Sequence, residues 1–282
     1  MTRHIVDALK VALTPTEKAR LNDDGGTVSV EAHDCLLKGR EIMFGPIKNR
    51  EVFDRAREQF ERAIQLDPGY GAAYAALAQA YGFDYHNHWS ADPSASLRRA
   101  DELAIQAVKL APNDPFPHYT LSMTAGYSRD FPRSKAAVDK ALELSPNYPD
   151  ALVSRGAYAI YSGNSAEGIP SIELAIRLDP AGSSQYLHFL GFAHLMLGNY
   201  ETAAAHFRER VRLLPQTDLS RALLASALGH LGRVEEARKI WRELMNINPA
   251  YSFTAHMNRQ PFVNSTESDK IAVGLAKAGL PD

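Results

Sequence analysis

Residues 113–146 read NDPFPHYTLSMTAGYSRDFPRSKAAVDKALELSP and decide the fold of this chain. Small and apolar side chains recur every three or four residues in each half of the stretch: Leu121 and Ala125 in the first, and Ser134, Val138 and Ala141 in the second. Side chains at these spacings share one face of an α-helix. The closing proline cannot continue the second helix. The stretch therefore predicts two antiparallel helices, with a small residue where they approach and a larger apolar residue beside it.

The same ending recurs through the chain, in segments such as ERAIQLDP, DKALELSP and ELAIRLDP. These segments close on six prolines: Pro68, Pro112, Pro146, Pro180, Pro215 and Pro249. Their successive spacings are 44, 34, 34, 35 and 34 residues. This period resembles that of the tetratricopeptide repeat, a helix–turn–helix unit of about 34 residues. The resemblance implies an all-α fold, a right-handed α-α superhelix (TPR solenoid) of about six helix-turn-helix repeats with a C-terminal capping helix.

The repeat phase predicts three regions. An N-terminal helical segment and linker occupy residues 1–29, the repeats occupy 30–250, and a C-terminal cap occupies 251–282. The approximate repeat boundaries are 30–68, 69–112, 113–146, 147–180, 181–215 and 216–249. In the cap, Ser265 or Thr266 precedes an expected helix that ends at Gly279, with an apolar stripe of Ile271, Val273, Leu275 and Ala276. Such a helix would shield the last apolar face of the solenoid from water.

Glycines mark the turn between the two helices of the later repeats. Gly163, Gly198 and Gly232 have the same phase, where a residue that tolerates positive φ suits a helix C-terminus. The second helix of repeat four departs from the pattern, since it contains Gly168 and Pro170. A proline beyond the first turn predicts a helix that starts late, near Glu167, or bends. The departure is either a tolerated irregularity or a local change in superhelical curvature.

A closer resemblance is carried by several quoted tracts. They are TRHIVDALKVALTPTEKARL, EAHDCLLKGREIM, AREQFERAIQLDPGYGAAYAALAQAY, WSADPSASLRRADELAIQAVKLAPNDP and the terminal KAGLPD. Together they resemble the C-terminal repeat region of bacterial class III adenylate/guanylate cyclases and related signalling proteins. The resemblance implies a cyclase domain in cis, N-terminal to residue 1, or in trans on a partner. The paired metal-binding aspartates of cyclases have no counterpart motif here, so no catalytic residue is carried over.

Composition excludes several classes of protein. Thirty-one basic and 33 acidic residues give a net charge of -2, which does not provide the basic surface that nucleic acid requires. The single cysteine, Cys35, rules out an internal disulfide framework and fits a reducing compartment, so we expect a cytoplasmic protein. No apolar run of about 20 residues occurs, and membrane insertion by this chain is not expected.

The insertion in repeat two, GFDYHNHWSADPSASLRR, leaves two interpretations open. Asp84, His86 and His88 could bind a metal ion, because imidazole and carboxylate suit zinc. No further histidine or cysteine follows at a ligand spacing, which favours an aromatic loop, with Trp89, that contacts a partner. Ser94 or Ser96 is the expected cap of the following helix.

Motifs of known catalytic sites are missing from the sequence. It contains no GxxxxGK[ST], GxGxxG after a strand, GxSxG, HExxH or CxxC. We therefore expect no catalytic residue, no cofactor and no metal in this chain. Any catalytic domain would lie outside it.

The tetratricopeptide resemblance implies a concave groove lined by the first helix of each repeat. The expected groove residues are Gln79, Phe83, Phe116, Tyr119, Met123, Tyr127, Val153, Ala157, Tyr161, Gln185, His188, Phe192, Met196, Ser226 and His230. This surface is apolar and aromatic, and it lacks the Lys, Arg and Asn of repeats that clamp a peptide carboxylate. It suits an apolar peptide or helix. Alternatively, some of these aromatic side chains only pack against neighbouring repeats.

The leading hypothesis is therefore a scaffold for protein–protein interaction or regulation, which binds a peptide or helix in the groove, in a bacterial cyclic-nucleotide signalling context. The alternative is a self-association module of a larger cyclase or regulator, with homo-oligomers possible. A direct enzymatic activity is the third hypothesis, and the sequence favours it least.

Overall fold

The computed structural model describes residues 26–45, 49–87, 89–264 and 266–281, and every regular element within these ranges is a helix. Residues 1–25, for which the sequence predicts a helical segment, lie outside the described residues. The chain divides into two compact units, residues 1–124 and 125–282, and the division falls near the end of one helix. Each unit is described below by itself.

Unit 1 contains two complete helical pairs and most of a fifth helix. Its helices are α1 Val30–Phe44, α2 Arg50–Leu66, α3 Gly71–Asn87, α4 Pro93–Leu110 and α5 Pro115–Tyr127, whose last three residues belong to unit 2. Helices α1, α3 and α5 are the first helices of repeats one to three. The first helices α1 and α3 also contact each other.

Unit 2 continues the pattern and adds a C-terminal extension. Its helices are α6 Phe131–Leu144, α7 Pro149–Tyr161, α8 Ser165–Leu178, α9 Ser183–Met196, α10 Tyr200–Leu213, α11 Leu219–His230, α12 Val234–Ile247, α13 Phe253–Met257 and α14 Thr266–Lys277. The first helices of repeats four to six, α7, α9 and α11, contact one another in order. We call the surface that they form the unit 2 first-helix face.

The prolines end the helices as their spacing predicts. Each second helix, from α2 to α12, stops two residues before its proline. Several starts are capped by a side chain that accepts a hydrogen bond from a backbone amide three residues later, as Asn49 does from Val52 and Asp130 from Arg133. Such caps satisfy an amide that has no partner inside the helix. The sequence thus sets both ends of the helices locally.

Small residues bring the two helices of a repeat together, as the sequence predicts. A Cβ atom on Gly39 would lie within 3 Å of the Phe60 ring, and one on Gly191 would lie 2.9 Å from the Phe207 ring. Phe60 and Phe207 are both fully buried. Burial of such a side chain stabilises the fold by about 1.5–3 kcal/mol. The all-helical pairing of small and large residues confirms the predicted fold class.

Repeat four has a glycine on each of its two helices where they meet. A Cβ atom on Gly168 would lie 2.7 Å from the carbonyl oxygen of Gly156, so the backbones of α7 and α8 are in direct contact. Helix α8 begins at Ser165, before the expected start near Glu167, and it continues through Pro170. The contact between the two helices therefore accounts for Gly168, and the helix tolerates the proline.

Candidate functional site

The predicted groove residues of unit 1 are mostly half-buried. Phe83, Phe116, Tyr119 and Met123 are each partly exposed on α3 and α5, whereas Gln79 is only 3% exposed. We call these four partly exposed residues the open face. The remaining predicted residue of α5, Tyr127, is also partly exposed and belongs to unit 2.

Aromatic contacts hold the open face in place from behind. The Phe83 ring packs edge-on against Phe53 at a centroid distance of 5.6 Å. The Arg40 guanidinium lies over the Phe116 ring, 5.4 Å from its centroid. Such a cation–π contact contributes about 0.5–1 kcal/mol at an exposed site. The open face is thus supported by unit 1 and keeps part of its apolar surface in water.

The predicted groove residues of unit 2 lie in a different environment. Val153, Phe192, Met196 and Ser226 are 4%, 2%, 5% and 0% exposed. Ala157, Tyr161, His188 and His230 are partly buried, and Gln185 is exposed. Residues 258–264 and 266–281 turn back onto the unit 2 first-helix face and cover part of it. We call these residues the C-terminal segment.

The first part of the C-terminal segment consists of turns and bends and is held by Tyr161. The Tyr161 hydroxyl donates a hydrogen bond of 2.7 Å to the Gln260 side-chain oxygen, and its carbonyl accepts one of 2.9 Å from the Val263 amide. The Phe262 ring, 4% exposed, packs edge-on against Tyr161 at 5.2 Å and Phe192 at 5.8 Å. Burial raises the pKa of Tyr161 above its usual range, so the hydroxyl is a neutral donor.

Arg129 holds the same stretch from the turn after α5. Its guanidinium donates to the carbonyl oxygens of Asn258, Gln260 and Phe262 at 3.1, 3.1 and 3.3 Å. Arg129 has a φ of 59°, a left-handed conformation that costs a residue with a Cβ atom about 1 kcal/mol or more. The later repeats have Gly163, Gly198 and Gly232 in this phase, at φ of 83°, 80° and 71°. An arginine thus stands where the fold favours glycine.

Helix α14 lies along the first helices of repeats five and six. Ser226 donates to the Ile271 carbonyl and His230 Nε2 to the Lys270 carbonyl, both at 2.8 Å. Lys270 in turn donates to the Met196 carbonyl at 3.3 Å. The backbones also touch, because a Cβ atom on Gly274 would meet the Ser226 carbonyl oxygen at 2.5 Å. Five predicted groove residues, Tyr161, Phe192, Met196, Ser226 and His230, therefore contact the C-terminal segment.

His230 is neutral in this arrangement. Its Nε2 donates to a carbonyl while Lys277 Nζ, 3.3 Å from Nδ1, donates to that second nitrogen. Burial lowers the pKa of His230; the hydrogen bond to the Lys270 carbonyl opposes this, and the charge of Lys277 adds to it. The Tyr200 ring stacks on the imidazole with a centroid distance of 4.1 Å. Protonation of Nδ1 would place two positive charges side by side.

The structure contains the expected cap helix, but two of the four residues predicted for its buried stripe are exposed. Helix α14 buries Ile271 and Leu275 completely, but Val273 is 47% exposed. Gly274 and Ala278 replace Val273 and Ala276 on the buried side. The expected stripe counted apolar residues, whereas close contact with α11 selects the smallest ones. Ser265 lies outside the described residues.

The insertion in repeat two is anchored to its own repeat. Asp84, 2% exposed, accepts a short hydrogen bond from Ser96 and lies 4.0 Å from the Arg57 guanidinium. Trp89 packs on Phe53 at a centroid distance of 4.7 Å. The expected cap at Ser94 or Ser96 is wrong, because Asp92 caps α4 by accepting from the Ala95 amide. Ser96 instead binds the Asp84 carboxylate.

Metal and membrane sites have little support among the described residues. Within them, no group of three or more His, Cys, Asp or Glu side chains could hold a metal ion. His88 lies outside the described residues, so the His-x-His pair is not described as a whole. None of the described helices combines the length and apolar character needed to cross a membrane.

The predicted groove residue His188 shares a hydrogen bond of 2.9 Å with Ser220.

Comparison with known proteins agrees with the repeat phase and the helical pairs. A family model described as tetratricopeptide repeat matches residues 119–183. Residues 119–183 therefore match the tetratricopeptide repeat, and the fold of the chain is that of a tetratricopeptide-repeat solenoid. A chain in the crystal structure of the APC/C hetero-tetramer Cut9–Hcn1 has a TM-score of 0.64 at 16% identity, over 97% of this chain and 51% of that one. A thermophilic TPR protein of Thermus thermophilus has a TM-score of 0.56 at 19% identity, over 70% and 98%.

A curated relative extends the likeness to cyclases. A Rhizobium meliloti (strain 1021) protein whose name assigns it as adenylate cyclase 3 is 34% identical over 131 residues, which are 46% of this chain and 22% of that protein. The chain spans less than a third of the length of the curated relatives it matches. The chain thus resembles cyclase-associated repeat regions and has the fold of tetratricopeptide-repeat proteins.

The residues that sequence reasoning missed are Arg129, Gln260 and Phe262. A signal for Arg129 was present, because it occupies the turn position that Gly163 and its counterparts occupy in later repeats. The stretch NRQPFVN had no signal of its own, since its contacts depend on the chain turning back onto α7 and α9.

Proposed function

We propose that this tetratricopeptide-repeat protein binds a peptide or helix with apolar and aromatic side chains, and that the open face is a surface for it. The observation that carries the proposal is the partial exposure of Phe83, Phe116, Tyr119 and Met123 on consecutive first helices. Aromatic residues and methionine are enriched in the cores of protein interfaces. An amphipathic helix recognises such a surface through side chains three and four residues apart.

We also propose a bacterial cyclic-nucleotide signalling context in the cytoplasm. The likeness to the Rhizobium meliloti relative supports this context. The free thiol of Cys35 fits a reducing compartment. In this proposal the repeats contribute binding, and a catalytic domain outside this chain, in cis or in trans, contributes cyclase chemistry.

A photo-crosslinking amino acid placed at position 119 tests the open face. Lys109, exposed on the second helix α4, is the matched control position. We expect position 119 to cross-link a protein in its native host that position 109 does not. The yield should fall several-fold when Phe116→Ala and Met123→Ala are added. Identical cross-links from both positions would refute the assignment, and a cross-link to a second copy of the chain would support self-association instead.

A further inference from the structure

We propose that the C-terminal segment is a displaceable ligand built into the chain, which occupies the unit 2 first-helix face until a partner of similar chemistry replaces it. The inference extends the proposed function to a second surface, and it rests on that function for the existence of a partner. The segment itself, seated on the face, shows which chemistry the face accepts. The proposal depends on the contacts that hold the segment, on the side chains that the face selects and on the ability of the segment to leave the face.

The hydrogen bonds that hold the segment go mostly to its backbone. Arg129 binds three of its carbonyl oxygens, and Ser226 and His230 bind two more. The Tyr161 carbonyl accepts from a backbone amide of the segment. Contacts of this kind do not depend on the side chains of the bound stretch. Another polypeptide with the same backbone course could therefore make them.

Three side-chain positions make the face selective. Phe262 fills the space between the rings of Tyr161 and Phe192, and Gln260 accepts from the Tyr161 hydroxyl. Twelve residues after Phe262, Gly274 allows backbone contact with α11. The partner is thus an irregular stretch with an amide two residues before an aromatic residue, followed by a short helix with a small-residue face. The face recognises an internal peptide segment, not a terminal carboxylate.

The segment can leave without unfolding the repeats. Helix α14 has 12 residues, a length at which an isolated helix is marginal in water. Its order therefore depends on the face beneath it, and release would convert the helix to disordered chain. Helix α13, with Phe253 and Met257 buried, ends just before the segment and would stay in place. Release would uncover Phe192 and Met196, which are the apolar core of the face.

Hydrogen exchange on the wild-type full chain tests whether the segment is a ligand or a fixed part of the fold. We expect the amides of α14 and of Val263 to exchange at least about tenfold faster than those of α11, through an opening that leaves α11 protected. If α14 and α11 exchange only together, in one global opening, the segment is a permanent element and the proposal is wrong. This measurement needs no variant and carries no risk of misfolding.

A displacement experiment then tests the face. A fluorescein-labelled peptide of residues 256–281 is added to the wild-type full chain and to the double variant Gln260→Ala, Phe262→Ala. Because an occupied face lowers the apparent affinity in proportion to the free fraction, we expect the variant to bind the peptide about tenfold or more tightly. Adding Arg129→Ala to the double variant should abolish this gain. A peptide that itself carries Phe262→Ala is the control and should not bind.

The possible results separate the two proposals. Equal peptide binding by the wild type and the folded double variant would overturn the built-in ligand. It would leave cross-linking from position 119 unaffected, because that position lies in unit 1. Loss of cross-linking with intact peptide displacement would refute the open face alone. Circular dichroism of the double variant verifies that its helices are retained.

Discussion

The open face of unit 1 and the first-helix face of unit 2 differ in exposure. Met123 on α5 is partly exposed, whereas Phe192, at the same repeat position on α9, is 2% exposed. Both faces lie on first helices of tetratricopeptide repeats. The difference is the C-terminal segment, which lies on the unit 2 face. The same repeat positions therefore serve as outward surface or as internal contact, depending on what the rest of the chain does.

The largest change in hydrogen-exchange protection is expected from Gly274→Leu. This substitution should displace α14 and uncover the unit 2 face, which would then resemble the open face of unit 1. A side chain at this position would run into the backbone of Ser226, which cannot move aside as a flexible side chain can. Overpacking of this kind costs about 1–3 kcal/mol, so protection of α14 against hydrogen exchange should fall by up to about a hundredfold. Mass spectrometry of the peptide that covers α14 measures this protection.

Ala276→Leu is the matched control, because Ala276 lies on the exposed side of the same helix. It should leave the protection of α14 nearly unchanged. Equal loss in both variants would mean that the helix, and not its contact with α11, is sensitive to substitution.

The next largest change in hydrogen exchange is expected from substitutions of Arg129. Two of them distinguish the strain of its backbone from its hydrogen bonds to the segment. Arg129→Ala keeps the left-handed φ of 59° and removes the hydrogen bonds to three carbonyls. Arg129→Gly removes the same bonds and relieves the strain. Both should speed exchange of the Val263 amide about tenfold, since a net hydrogen bond contributes about 1 kcal/mol.

Urea unfolding then distinguishes the two Arg129 variants. The glycine variant should be more stable than the alanine variant by about 1 kcal/mol, the usual cost of this backbone conformation. If alanine and glycine are equal in stability, the turn carries no strain. If Val263 exchange does not change, Arg129 does not hold the segment.

The sequence predicts the repeat architecture because its determinants are local. Each second helix stops two residues before a proline, and small residues such as Gly39 and Gly191 lie against large ones. These features depend on neighbours within one repeat of about 34 residues. The positions on the first helices also follow from phase. Five of them contact the C-terminal segment of the same chain.

The path of the C-terminal segment could not be read from the sequence. Apolar spacing in α14 suggested Val273 as a buried residue, but contact with α11 selects Gly274. The contacts of Arg129 join residues about 130 positions apart, and they go to backbone atoms that every residue has. No pattern in residue identity records such contacts. The role of the predicted groove as a site for an outside partner stays a prediction.

A smaller change in the exchange of α14 is expected from pH. Only the covered face of unit 2 should respond in this way, because His230 is part of it. The docked histidine has a lowered pKa, so the released histidine, at its ordinary value of about 6.5, takes up a proton more readily. Docking is therefore strongest above about pH 6.5 and weakens as the pH falls below it. The charged group nearby, Lys277, stays positive and repels the imidazolium. Exchange of α14 should accelerate several-fold between pH 7 and 5.5, after correction for intrinsic rates.

His230→Gln is the control for this effect, since an amide can donate to the Lys270 carbonyl and does not titrate. Its α14 exchange should not depend on pH. Two other histidines, His194 and His206, stack at 5.5 Å and have pKa values lowered by burial, so acid also destabilises α9 and α10. The measurement must therefore compare α14 with those helices. An equal response of all three would assign the effect to His194 and His206.

The smallest effect is expected from Phe116→Ala on the open face. This ring is partly exposed and its contact with the Arg40 guanidinium contributes less than about 1 kcal/mol, so urea unfolding should change by about that amount. Phe192→Ala, beneath the C-terminal segment, should cost about 3 kcal/mol or more, as for other fully buried phenylalanines. A face kept for an outside partner contributes little to folding, whereas a covered face contributes to it directly. Equal losses in the two variants would show that the open face is structural, and the contrast between the two faces would no longer hold.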